Sequence, residues 1–349
     1  MERQNLIVSP SPHFTNKGFF RAHTTQSIMM HVCIALIPAL IASVLFFGPS
    51  SLVIVLLCVA ACIVGELLFN LAAKQKLTIN DFSAVVTGLI LGLNLPIFVN
   101  EAGDPTPFAH WYIPVVGGLF AIIVVKMIFG GIGKNFANPA ATARLFVFFA
   151  FGAAALYPIY HNTFEYFQTI SVLGGATPLQ AVSEWFAGSS WGDDPMSSIA
   201  PVALWDMFIG RTGGVIGETS VLALLIGGVY LGVLRIIDWR IPVIYMGGTF
   251  LLILLLTGSL NAGVIHLLGG GLVFGAIFMA TDYASSPKSD LGIYIYAAGL
   301  ALITVLIRLF TALPEGVSFA IVLMNLVNPL MDKYFIHKPF GYVKPVKPA

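Results

Sequence analysis

Apolar runs about twenty residues long follow one another along almost the whole of this 349-residue sequence. Ten can be read, at roughly 27–47, 52–73, 82–99, 110–129, 139–157, 217–237, 241–258, 264–281, 291–310 and 318–334. A helix needs about 20 predominantly apolar residues to cross the hydrocarbon of a bilayer, and inside lipid every backbone polar group must be satisfied internally. The chain therefore reads as an all-α polytopic membrane protein of about ten transmembrane helices, with the lipid bilayer as its solvent. Composition agrees: 58% of the residues are hydrophobic and 9% charged, against about 25% charged in soluble domains. So few charges cannot coat a soluble globule of this size, which excludes a soluble enzyme and a disordered chain. The 17 basic and 16 acidic residues nearly cancel, so there is no basic footprint for nucleic acid.

Basic residues set the orientation of such a bundle. With the N-terminus inside, all of the 17 Lys and Arg except Arg211 and Arg308 fall at or near the cytoplasmic side. Both termini are thus expected in the cytoplasm, of a bacterial or archaeal cell whose cytoplasmic membrane holds the chain. Residues 1–26 read as a cytoplasmic N-terminal segment, not a signal peptide, because the first apolar run is long enough to span. Residues 27–157 make a first five-helix half, 158–216 an extracytoplasmic loop, 217–334 a second five-helix half and 335–349 a cytoplasmic tail. The loop is long and rich in aromatics, Tyr166, Trp185, Phe186 and Trp191 among them, which suits a binding segment better than a plain connection. Asn138-Pro139 opens the fifth run and Asn328-Pro329 interrupts the tenth. The glycine-rich third run (Gly88, Gly92) is echoed by Gly269, Gly270 and Gly271 in the eighth, and these two runs are expected to be broken. Units of five helices run in opposite senses, so the pattern suggests two inverted repeats with a site at their interface; chance recurrence of common membrane dipeptides is the alternative.

Motifs with chemistry are few. Gly130-Gly131-Ile132-Gly133-Lys134-Asn135 fails as a phosphate loop, because Ile128 stands where its first glycine would be and Asn135 where the Ser or Thr is needed. Cys33, Cys58 and Cys62 read as small buried hydrophobes, with no metal site. His31 and His266 lie within spans, where an interhelical hydrogen bond is the expected role. Glu66 is the sharpest anomaly, a carboxylate within the second run that should face the bundle interior or a wet cavity; it is a candidate for an ion pathway or a structural hydrogen bond. Asp282 ends the eighth run and is a second ion-pathway candidate or a helix terminator. In the outer loop, Gly174-Gly175-Ala176-Thr177-Pro178 reads on its own as a turn. Its small residues would also let a bulky phosphate-bearing group approach the Thr177 hydroxyl.

Several stretches taken together are specific: Val8-Ser9-Pro10-Ser11-Pro12-His13 with Thr25-Gln26-Ser27, Thr87-Gly88-Leu89-Ile90-Leu91, Gly131-Ile132-Gly133-Lys134-Asn135 with Asn138-Pro139-Ala140, Gly175-Ala176-Thr177-Pro178-Leu179, Gly217-Glu218-Thr219-Ser220 and Met279-Ala280-Thr281-Asp282-Tyr283. In these, and across nearly its whole length, the chain resembles the family of D subunits of the Rnf complex, the membrane-bound ferredoxin:NAD oxidoreductase that pumps Na+ or H+. It is similar, more distantly, to the B subunit of the sodium-pumping NADH:quinone reductase.

The resemblance implies FMN attached through its phosphate to Thr177, with Gly174, Gly175 and Ala176 around it, installed by an FMN transferase from FAD. Thr177 is then an anchor, and no residue of the chain is catalytic in turnover. The family usually opens this motif with an acidic residue and places Ser or Thr three positions before the acceptor; here those positions hold Ser171 and Gly174. Trp185 or Tyr166 is expected to pack on the isoalloxazine. The resemblance also implies a noncovalent riboflavin, and obligatory partners: iron-sulfur and NAD-binding peripheral subunits, a second FMN subunit and small membrane subunits. Electrons would pass between ferredoxin and NAD, coupled to Na+ or H+ transport. The alternative is a flavin-free channel or carrier built on the inverted repeat, or a scaffold; only the flavin separates the readings.

Overall fold

Thr24 accepts a hydrogen bond from Ser27 N at 3.2 Å and so starts the first helix of a chain in which, among the described residues, there is no strand. The structure, a computed structural model, describes residues 24–98, 110–152, 178–188, 204–311 and 316–335. In chain order the helices are α1 Thr25–Phe47, α2 Pro49–Ala72, α3 Ser83–Leu93, α4 Tyr112–Leu119 continuing as a π-helix Phe120–Met127, and α5 Pro139–Phe151. Then come α6 Pro178–Gly188, α7 Leu204–Ile209, α8 Val221–Val233, α9 Arg240–Thr257 and α10 Leu260–Leu268. α11 Leu272–Phe274 runs into a second π-helix, Gly275–Met279, followed by α12 Asp290–Phe310 and α13 Gly316–Tyr334.

Among the described residues four helices, α1, α2, α9 and α12, are each long and apolar enough to cross a membrane, and α10 with α11, bent by 60°, passes the same test as a pair, either a broken span or a re-entrant loop. The helices Ser83–Leu93, Tyr112–Met127, Pro139–Phe151 and Val221–Val233 are apolar but shorter. The protein is an all-α polytopic membrane protein. Polar residues punctuate it where the chain must leave a helix: Ser220, Ser259 and Ser289 each cap the helix that follows, and Asn138 caps α5 through Ala140 N and Ala141 N with Pro139 at the first position.

Packing repeats between the halves. α2 packs on α3 and α4 as α9 packs on α10 and α12; α1 meets α8, and α5 meets α13. Glycine decides the closest contact. A Cβ on Gly92 would stand 2.7 Å from Val55 Cα, and one on Gly88 would stand 2.5 Å from Val59 Cα, so α3 lies directly on the backbone of α2.

Three details differ from the sequence reading. The third run stops being helical at Leu93, short of the expected 99, because the Asn94 side chain bonds back to Ile90 O at 2.8 Å. The eighth does break, at Gly269–Gly271, but the glycines of the third run pack and those of the eighth turn, so the two stretches do different work. Asn328-Pro329 does not interrupt the last helix, which runs through Pro329 to Tyr334.

Candidate functional site

The π-helix Phe120–Met127 inserts an extra residue per turn and places Lys126 inward, 3% exposed. Its ammonium lies 2.9 Å from Glu66 Oε2 and 2.5 Å from Ser83 Oγ. Glu66 is fully buried, and Thr78 donates to its other oxygen. Asn70 Nδ2 donates to Thr78 at 3.0 Å, and Asp81 receives the Ser83 amide at 2.8 Å. Glu66 stands six residues before the end of α2, about midway between the middle of the helix and its C-terminal end. Two buried charges in such a place are tolerable only when paired and hydrogen-bonded; here both conditions hold.

A cavity of about 100 Å³ is lined by residues of both halves, with Lys126, Ser83, Thr87, Asn135, Asn138 and Asp282 among its polar groups and Ile28, Ile90 and Ile277 among its apolar ones. Glu66 reaches it only through Lys126. Asp282 is half-buried at the cavity rim. It accepts from Ser285 Oγ at 2.9 Å and from Asn135 Nδ2 at 3.5 Å. Burial pushes its carboxyl above the usual carboxylate range, against the opposing pull of Ser285, the Ala284 amide and Asn135. Asn138 ties the halves together by donating to Met279 O at 3.1 Å. Oriented to satisfy both its atoms, the Asn325 amide accepts from Asn138 N at 3.0 Å and donates to Tyr296 Oη at 2.8 Å. The two ion-pathway candidates, Glu66 and Asp282, therefore belong to one polar neighbourhood, linked by Lys126 and the cavity.

A second polar cluster lies at the break between α10 and α11. Gly270 and Gly271 adopt φ +65° and +66°, a left-handed conformation that favours glycine. The carbonyls released by the break accept from one guanidinium: Arg308 donates to His266 O at 2.6 Å, Gly269 O at 3.1 Å and Gly270 O at 2.8 Å. Arg308 is 1% exposed. It is one of the two basic residues that the charge rule left outside, and its charge is committed within the protein. His31 meets its expectation, with Nδ1 2.8 Å from Tyr230 Oη across α1 and α8. His266 does not: it is fully buried, and neither ring nitrogen has a hydrogen-bond partner among the described residues. Cys58 and Cys62 point together at α4, with Sγ 3.6 Å from Pro114 O and 3.5 Å from Gly118 O.

Gly174, Gly175, Ala176 and Thr177 lie outside the described residues, as does Tyr166. The helix that follows them, α6, packs on α10 and α12. Val182 belongs to a core cluster with Met207, Ile265 and Val305, and Trp185 lies against that cluster. Lys126, Ser83 and Arg308 are functional candidates that motifs alone do not mark. An acid in the second apolar run and a base in the fourth are the signal for Lys126; nothing local marks Arg308.

The sequence model of the NQR2, RnfD, RnfE family matches residues 7–341, which takes in both helix halves and the segment between them. The chain belongs to the NQR2, RnfD, RnfE family. Among its relatives it is 42% identical to the D subunit of the Na(+)-translocating ferredoxin:NAD(+) oxidoreductase complex of Acetobacterium woodii, over 100% of this chain and 99% of that protein. It is 33% identical to the D subunit of the proton-translocating ferredoxin:NAD(+) oxidoreductase complex of Clostridium ljungdahlii, over 98% of each. It is also 33% identical to the D subunit of the ion-translocating oxidoreductase complex of Stutzerimonas stutzeri, over 91% of this chain and 92% of that protein. The family match covers Gly174 to Thr177 and the helices that carry Glu66, Lys126 and Arg308 alike.

Proposed function

We propose that this chain is the D-type membrane subunit of an ion-translocating ferredoxin:NAD oxidoreductase complex, with FMN held through a phosphoester on Thr177. The observation that carries the reading is the end-to-end similarity to the Acetobacterium woodii protein, with Gly175-Ala176-Thr177 standing immediately before α6. FMN takes up and releases electrons one or two at a time.

The described residues next to the anchor suit a fixed tether. α6 starts at Pro178, and the first turn of a helix offers unpaired amides to a phosphate. Leu179 and Val182 are buried, which fixes α6 on α10 and α12 and holds the chain beside Thr177 in one place. The reading puts both termini in the cytoplasm and the Thr177 loop outside. Partner subunits supply the ferredoxin and NAD sites, and an FMN transferase loads Thr177.

Riboflavin is the second flavin of this reading. The cavity offers it apolar walls and few uncommitted polar groups: Asn138 spends its amide on Ala140 N, Ala141 N and Met279 O, and Asn135 donates to Ala137 O and Asp282, so an isoalloxazine edge would have to displace these bonds. At about 100 Å³ the cavity must widen to take the whole ring system. On this reading Glu66 and Asp282 serve the ion path, and the repeated packing of the halves is an inverted repeat. Peptide mapping of the purified complex tests the assignment: the peptide bearing Thr177 should be heavier by one FMN less one water. An unmodified peptide from a cell that loads a known FMN acceptor would favour the flavin-free carrier.

A further inference from the structure

Where a helix unwinds inside a membrane, the carbonyls it releases need donors, and in many carriers they coordinate the transported cation. Among the described residues, two ends of this kind stand next to one another. α3 stops at Leu93, after 11 residues or about 16 Å of rise from Ser83, roughly half the hydrocarbon thickness. α10 stops at Leu268, and the chain re-enters helix at Leu272. The cavity reaches Ile90 on one side and Ile277 on the other, short of both ends.

Protein donors hold the carbonyls at both ends. On α3, Gly217 N donates to Leu93 O at 2.7 Å and Ile216 N to Leu95 O at 3.3 Å, so the strap of residues 215–218 lies across the helix end. The strap needs Gly217, since a Cβ there would collide with Leu93. The same strap reaches the other break, where a Cβ on Gly271 would collide with the Glu218 carboxylate. There the donor is charged: Arg308 holds the carbonyls of His266, Gly269 and Gly270. A Cβ on Gly270 would stand 2.7 Å from Arg308 Nη2 and collide with Leu179 of α6.

We propose that Arg308 is the cation barrier of the helix bundle: its guanidinium occupies the carbonyl cluster at the break and, with the 215–218 strap, closes the way from the cavity to the opposite face. The proposal rests on the reading of the chain as part of an ion-translocating complex. A guanidinium keeps its charge at any working pH and satisfies several planar acceptors at once. A cation approaching these carbonyls meets a fixed positive charge at contact range where the dielectric is low. The carbonyls that would otherwise make the break a cation site are the ones the guanidinium takes. Bringing such a charge into the bundle is expensive, and three charge-assisted bonds offset that only while the break keeps this shape.

The test uses the whole complex in liposomes, without ferredoxin or NADH, and measures passive 22Na+ uptake under an imposed potential. Wild type should be tight. Arg308→Gln should admit sodium at least about tenfold faster, since removing a buried charge lowers the barrier by more than that factor requires. Arg308→Lys keeps the charge but cannot bridge three carbonyls, so it should stay near wild type; a merely structural role would make it leak like Arg308→Gln. Uptake by an assembled Arg308→Gln complex equal to wild type overturns the proposal. If that variant does not assemble, Ile90→Cys in an otherwise wild-type complex takes its place. A membrane-impermeant thiol reagent should label it from the cavity face alone, in either intact cells or inverted vesicles, and labelling from both faces overturns the proposal. The leak needs no flavin, so a Thr177 that proves unmodified would defeat the flavin reading and leave this result standing.

Discussion

Glu66 and Lys126 exchange one strong ion pair for the hydration each would have in water, and neither can be removed alone without leaving a buried charge. Breaking such a pair on one side typically costs about 3–5 kcal/mol, while replacing both partners by apolar or neutral residues is far milder. Lys126→Met is therefore expected to lower the thermal stability of the solubilised protein sharply, and Glu66→Gln combined with Lys126→Met to recover much of it. A double variant no more stable than Lys126→Met would contradict the pairing. The recovered double variant also isolates the ion-path question, because it folds without the carboxylate. Asp282 makes a second prediction. Its carboxyl is raised by burial, so the folded protein takes up a proton there more readily than the unfolded chain. The ionised form then opposes folding: the penalty is full above the folded value and fades as pH falls toward the ordinary carboxylate range, near about 4. Asp282→Asn should raise the melting temperature at pH 7 to 8, and the gain should shrink in acid. A gain that is constant with pH, or a loss at neutral pH, would show that Ser285 and Asn135 hold the carboxylate more tightly than burial disfavours it.

Helices in this bundle meet through glycine or turn at it, and the two uses carry different penalties. Gly92→Ala would drive a methyl toward Val55 Cα, 2.7 Å away on the backbone of α2, where nothing flexible can yield. Gly247 on α9 has nothing within 4 Å of a built Cβ, and alanine favours a helix interior over glycine by about 1 kcal/mol. Melting of the two variants should separate them: Gly92→Ala well below wild type, Gly247→Ala level with it or above. Equal effects would mean that α3 and α2 are not in backbone contact. The elements are largely legible because apolar length is read directly from sequence, and Asn138-Pro139 and the capping serines mark where helices begin. The exact ends are not: Leu93 is an end because of a side-chain bond from Asn94, and the last helix absorbs Pro329 inside a packed bundle. The site is legible only in part. Glu66 stands out as a charge in an apolar run. Lys126 reads in the sequence as a topology marker, because its inward direction depends on a π-helix that no local pattern announces. Arg308 acts on carbonyls 38 to 42 residues away in the chain, a relation visible only once the eighth span is seen to break.

At the scale of the molecule, two helix halves enclose a mostly apolar cavity with a few polar groups on one side and meet through a strap and a guanidinium on the other. α6 rests on that second side. On the proposed reading, α6 carries the tether into α10 and α12, while α10 continues through α11 toward the cavity, an arrangement that would suit a subunit acting only within its complex. The central claim is the tether. The most direct measurement is ultraviolet fluorescence of the denatured protein in a gel, after co-expression with an FMN transferase, for wild type and Thr177→Ala. Noncovalent flavin is lost on denaturation, so the account predicts a fluorescent wild-type band and a dark variant of equal protein content. A dark wild-type band beside a labelled known acceptor from the same cells, or a Thr177→Ala band as bright as wild type, would contradict it.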